Sequence, residues 1–334
     1  MADLTEAKPR RNRGILWTLI KVSLALLLIG IVLSRTNLSQ LVALLQRISW
    51  AWLAAFVILF LLMTLIKTWQ YHIFFGKTVT FPHLLTMVIL QNALMNFVTT
   101  GAGIASLLTM LKVERQVKLS HSSVAFLLTK VGDFFALWCF LVVSALLIRQ
   151  SIAPLRSLVI AVLAILGAGL LILFLALGLR RKFMDLLRKV MGWTRLGRLN
   201  VVQKGMDALE EAVTREELTS PQVLWKVGLV SMTYLAATMA WMVASLRMFH
   251  VQIGVLEVVF VNVFIQLLSN IPVQVFGGLG VNEASSLYLY GFFLPSLGEL
   301  TAALIGFRLL LYALNLLILL YLPIHAAASR LKVH

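Results

Sequence analysis

The chain has 334 residues, of which 60% are hydrophobic and 13% charged, and its mean hydropathy is +0.95. No water-soluble core hides that much apolar surface, so the composition is that of a polytopic membrane protein. The formal charge of +16 belongs to loops flanking hydrophobic spans and to contact with anionic lipid rather than to nucleic acid. The single cysteine, Cys139, excludes a disulfide within the chain and a cysteine-based metal cluster.

In chain order, a basic N-terminus (residues 1–14) with Lys8, Arg10, Arg11 and Arg13 precedes the first apolar window, residues 15–33. No small-residue cleavage site follows Leu33, so this window reads as an uncleaved first transmembrane helix. Further windows long enough to cross the bilayer lie at 50–75, 120–148, 155–179, 223–249 and 301–326, which gives six spans. Two others, 84–111 and 255–293, are interrupted. The first carries Asn92, Asn96, Thr99, Thr100, Gly101 and Gly103, and the second Asn262, Asn270, Pro272 and the glycines Gly277, Gly278 and Gly280. Neither run supports one unbroken apolar helix, and both read as re-entrant or broken segments. Between residues 180 and 222 lies the main polar loop. Phe183, Leu186, Leu187 and Val190 fall there at helical spacing among basic residues, the pattern of an amphipathic helix on an anionic lipid surface. Its later, glutamate-rich part fits a solvated hairpin or partner-binding element equally well. Residues 327–334 form a short tail.

With both interrupted windows entering and leaving on one side, 19 of the 29 lysines and arginines fall on the side of the termini and five on the other. The positive-inside rule makes that side the cytoplasm. Were 84–111 a full crossing, the nine cations between 180 and 215 would be exported, so parity favours re-entry. The order also contains a symmetry. Residues 15–148 supply two spans, a broken segment and a third span, and residues 155–326 repeat this upside down, an inverted-topology arrangement frequent in secondary transporters. Asn96 precedes Gly101 as Asn270 precedes Gly277, and each half has one cation in its last span, Lys130 and Arg308.

The stretch from Asn270 and Pro272 through Gly277, Gly278, Gly280, Asn282 and Glu283, followed by Gly291 and Arg308, resembles the C-terminal signature of the lysylphosphatidylglycerol synthase transmembrane region, or flippase-like, family. Asn96, Gly101, Lys130 and Asp133 fall where that family has an Asn, a Pro-and-Gly turn and an Arg-x-x-Asp motif. Thr99 and Thr100 stand where a proline is usual, and Lys130 replaces the arginine, supplying a point charge instead of a two-pronged phosphate clamp. The resemblance spans nearly the whole chain. It implies a multi-pass protein of a prokaryotic plasma (inner) membrane with a role in moving lipids between leaflets. Aminoacyl-transferring members carry a large soluble C-terminal domain, and because the sequence stops at His334, synthase activity is not expected.

Charges inside spans are costly, about 2.5–3.5 kcal/mol each on insertion scales. Lys130, Asp133, Glu283 and Arg308 should therefore face inward and find partners. Lys130 and Asp133, three residues apart, share a helix face. They read either as structural ion pairs or as a path in which Lys130 and Arg308 attract an anionic head group while Asp133 and Glu283 balance charge or receive a cationic group. Lys67, near the end of its span, reads as snorkelling to the interface. Gly277, Gly278 and Gly280 would expose N–H groups to a phosphate or carboxylate, or simply form a tight turn capped by Glu283. Asn96 and Asn270 stand with these glycines as candidates for the substrate pathway, and in the other reading their amides serve as partners for interrupted backbone.

Catalysis is disfavoured. Residues 34–49 hold no acidic side chain, the six histidines are scattered without metal-ligand spacing, and no nucleophile with a neighbouring base is apparent. No metal or cofactor is expected. The expectation is therefore an all-α polytopic membrane protein of six transmembrane helices and two re-entrant segments. It would act as a flippase for a phospholipid or polyprenyl-phosphate-type lipid by alternating access. The alternatives are a transporter of a small organic anion or ion, and a non-catalytic membrane subunit of a lipid or glycan pathway.

Overall fold

The structure, a computed structural model, describes residues 48–179, 189, 216–269, 281–294 and 298–323. The first expected span (15–33), most of the loop 180–222, the tail, Asn270, Gly277, Gly278 and Gly280 lie outside the described residues. Glu283 is described in its backbone only.

Every regular element among the described residues is helical: α1 (Trp50–Phe75), α2 (Phe81–Phe97), α3 (Thr100–Arg115), α4 (Leu119–Leu147), α5 (Arg156–Leu179), α6 (Pro221–Met248), α7 (Val255–Ser269), α8 (Val281–Tyr290) and α9 (Gly298–Leu319). A 3-10 turn, Ala153–Leu155, leads into α5, and a single helical turn, Glu216–Thr219, precedes α6. Five stretches are long and apolar enough to cross a membrane: Trp50–Phe75, Leu119–Leu147, Ala153–Leu175, Pro221–Met248 and Glu299–Pro323. They coincide with the five expected spans that fall in the described part. The chain divides into two compact units, residues 47–305 and residues 1–46 with 306–334. In its described part the smaller unit is the later portion of α9 up to Pro323, where Arg308 is buried and the Asn315 amide donates to the Leu311 carbonyl at 2.8 Å.

In the larger unit α1 packs along α6, with Phe56 stacked on Trp241 at 4.9 Å between ring centres. Hydroxyls in these apolar helices are satisfied at short range. Thr64, Thr68, Thr129 and Thr238 each donate to the carbonyl four residues earlier, so these hydroxyls need no partner outside their own helix. Helix α5 packs on α4, where the Trp138 indole N–H donates to the Leu163 carbonyl at 3.2 Å. The rest of its surface is apolar and exposed, Ile165 at 72%, as a lipid-facing helix requires.

The first interrupted window is a helix, a break and a second helix that folds back. Val98 leaves helical geometry (φ −117°, ψ −87°) and Thr99 is extended (φ −152°, ψ 157°). Thr99 then caps α3, its Oγ1 accepting from the Ala102 N–H at 3.0 Å, a favourable role for threonine at that position. The chain thus turns at Thr99 without the proline usual in the family motif. Gly103 proves the reversal. A Cβ there would come within 2.7 Å of the Gln91 carbonyl oxygen and 3.2 Å of the Met95 nitrogen. In one continuous helix residues 91 and 103 would be about 18 Å apart. The break's polar groups stay engaged, as the Asn96 amide donates to the Asn92 carbonyl at 2.9 Å.

The second window behaves alike at its described ends. Helices α7 and α8 pack on each other, and the Ser269 hydroxyl donates to Asn282 Oδ1 at 3.3 Å. Residue 281 therefore begins its helix beside the place where residue 269 ended the previous one.

Candidate functional site

Polar side chains that have no business in an apolar span converge inside the larger unit. On α1, Lys67, Gln70 and Tyr71 lie at helical spacing on one face. On α6 the same holds for Ser231, Tyr234 and Leu235, and on α4 for Phe126, Lys130, Asp133 and Leu137. The three faces meet around Asp133. Lys67 Nζ donates to its Oδ2 at 2.8 Å, while Gln70 Nε2 and the Ser231 hydroxyl both donate to Oδ1 at 3.2 Å. Gln70 Nε2 also donates to Ser231 Oγ at 2.6 Å. Three donors thus occupy both oxygens of a carboxylate with about four acceptor positions.

The position of Asp133 depends on its neighbour Gly132. A Cβ on Gly132 would stand 2.6 Å from Ser231 Oγ and 3.0 Å from Val227 Cγ1. Only glycine lets α4 approach α6 closely enough for Ser231 to reach the carboxylate. An alanine would displace the Ser231 hydroxyl and crowd Val227, breaking the network at its centre.

Lys67 does not snorkel, contrary to the expectation from its position. Its side chain is 12% exposed, bonded to Asp133, and its ammonium sits 4.8 Å from the centre of the Tyr234 ring and 5.9 Å from that of Tyr71. The ion pair and two aromatic faces replace the water it would otherwise seek.

This network forms one wall of a cavity of about 130 Å³. Lys130 lines it, with its ammonium 5.9 Å from the Phe126 ring centre. The re-entrant pair α2 and α3 contributes Gln91, Asn92, Met95, Thr100 and Ile104, and α7 contributes Gln266 and Ser269 at the edge of the second interruption. Gln91 is buried; its Nε2 donates to the Tyr71 hydroxyl at 3.3 Å, and its Oε1 has no hydrogen-bond partner. Two lysines against one aspartate leave the lining with one net positive charge. The room far exceeds the roughly 10–15 Å³ that a single water needs.

Of the residues singled out from sequence, Lys130 and Asp133 are brought together here. Asn96 sits one turn beyond Asn92, and its amide donates to the Asn92 carbonyl. Arg308 is a buried residue of α9 in the smaller unit. Asn270, Gly277, Gly278 and Gly280 lie outside the described residues, as does the side chain of Glu283. Sequence reasoning passed over Gln70, Tyr71, Gln91, Ser231, Tyr234 and Gln266. The available signal was periodic, since Lys67-x-x-Gln70-Tyr71 and Ser231-x-x-Tyr234 each draw a polar line along an otherwise apolar helix. Among the described residues no group of three or more His, Cys, Asp or Glu could hold a metal ion.

A family model described as the lysylphosphatidylglycerol synthase TM region matches residues 18–318. Neither a curated protein nor a solved structure matches the chain. The match takes in both interrupted windows, the Asp133 network and the whole cavity lining, and the chain belongs to the lysylphosphatidylglycerol synthase TM region family of integral membrane proteins.

Proposed function

We propose that the protein is a lipid flippase of a prokaryotic plasma membrane, taking an anionic head group into the cavity beside Lys130 and releasing it to the other leaflet. One observation carries this reading: a net positive cavity within the membrane-embedded bundle, lined by Lys130 and the Lys67–Asp133 pair and by residues of both interrupted segments. Ionised groups within transmembrane helices mark substrate pathways, and broken helices are tolerated where they line a cavity. Acyl chains remain in the bilayer while the head group exchanges water for Lys130, Tyr71, Tyr234 and the amides of Gln91 and Gln266.

The inverted order of the two halves supplies the motion, since α1, α2/α3 and α4 correspond in the proposed repeat to α6, α7/α8 and α9. Rocking one half against the other would open the cavity first to one leaflet and then to the other. Both termini face the cytoplasm in this scheme, on the distribution of lysine and arginine. The protein acts as a carrier and needs neither metal nor cofactor.

Leaflet-resolved transport in proteoliposomes tests the proposal. The wild-type chain should move a fluorescent phosphatidylglycerol between leaflets faster than a zwitterionic phosphatidylcholine, and Lys130→Gln and Lys130→Ala should both slow it. Equal movement of the two lipids, or equal rates for wild type and variants, would reject it.

A further inference from the structure

A second polar feature of the cavity is not explained by attraction to negative charge. Gln91 lines the cavity, is only 3% exposed, and spends its amide nitrogen on the Tyr71 hydroxyl. Its carbonyl oxygen is left without a hydrogen-bond partner. A buried acceptor in that condition costs free energy unless something donates to it. Tyr71 engages the amide nitrogen, and the backbone of Gln91 is set by the close approach of Gly103 of α3, where a Cβ would come within 2.7 Å of the Gln91 carbonyl oxygen.

We infer that Gln91 is a specificity-determining residue, and that the cavity takes anionic lipids whose head group also carries a hydrogen-bond donor, a hydroxyl or ammonium, for the Gln91 carbonyl oxygen. Lys130 reads the charge and Gln91 reads the donor. A site built to receive a donor discriminates strongly against the analogue lacking it, because the acceptor is then left buried and unpaired. The inference rests on the cavity being a lipid head-group site and adds the second chemical requirement.

The test is a binding titration of the full chain in nanodiscs of neutral lipid, with two short-chain probes of equal charge. Dihexanoyl phosphatidylglycerol offers two hydroxyls, and dihexanoyl phosphatidylmethanol offers none. Wild type should bind the first about tenfold more tightly. Gln91→Met, which keeps the length of the side chain without its acceptor, should bind both probes with the wild-type affinity for phosphatidylmethanol. That retained affinity also reports that the variant is folded. Equal wild-type affinities for the two probes would overturn the inference and leave the anionic site standing, and this readout needs no variant. Selectivity persisting in Gln91→Met would overturn it as well. Binding of neither probe above a zwitterionic control would overturn the head-group site itself, and this inference with it.

Discussion

Asp133→Ala should destabilise the protein by about 3–5 kcal/mol, the cost of leaving one member of a buried ion pair without its partner. Lys67 would remain 12% exposed with its ammonium between two tyrosine rings and no carboxylate, and Gln70 and Ser231 would each lose an acceptor. Denaturant unfolding of the purified protein in detergent measures this loss. The double variant Lys67→Met with Asp133→Leu should recover most of it, since apolar residues of similar volume replace buried pairs at little cost. If Asp133→Ala unfolds like wild type, Lys67 has water within reach and the buried network is not what joins α1, α4 and α6.

Lys130→Gln should act on transport. Charge-assisted hydrogen bonds contribute about 1.5–3 kcal/mol, so removing the charge should slow anionic-lipid movement roughly tenfold to a hundredfold. Lys130→Arg should keep a large part of the rate, because the positive charge survives while its shape changes. The measurement is leaflet-resolved transport at matched protein density, with the unfolding midpoint of each variant recorded alongside. Lys67 is held by Asp133, and Lys130 lines the cavity. A Lys130→Gln protein that transports at the wild-type rate would leave the cavity without its anion-attracting group.

Much of the fold was legible because the bilayer simplifies the code. A run of twenty apolar residues has few fates, and all five expected spans in the described part are helices at nearly the expected positions. The first interruption was legible too, since Asn96, Thr99 and Thr100 break the apolar run, although Gly101 and Gly103 are themselves inside α3. The exact hinge was not, because Val98 is a strand former that could equally have ended α2 or continued it. The role of Lys67 was misread for a reason that simple geometry exposes. Eight residues separate it from Phe75, the end of α1, which is about 12 Å of helix and beyond the reach of a lysine stem.

The candidate site was half legible. Charges in a span announce themselves, so Lys130 and Asp133 stood out. The partners of Asp133 did not, because Gln70 and Ser231 are ordinary polar residues whose meaning comes from contact. The approach of α4 to α6 depends on Gly132 meeting Ser231, two residues 99 positions apart, and nothing local to either residue encodes that meeting. The unpartnered Gln91 oxygen is likewise a property of packing. Its sequence neighbourhood, Leu90-Gln91-Asn92, shows only an amide in a helix.

Access to the cavity from both sides of the membrane is the claim from which the functional account follows. On a Cys139→Ser background, a single cysteine introduced by Ile104→Cys on α3 would line the cavity. Sealed vesicles of the two opposite orientations are then exposed to a membrane-impermeant maleimide. Alternating access predicts labelling in both orientations, and mutually slowed labelling when phosphatidylglycerol is added. Labelling from one side only, unchanged by lipid, would contradict it.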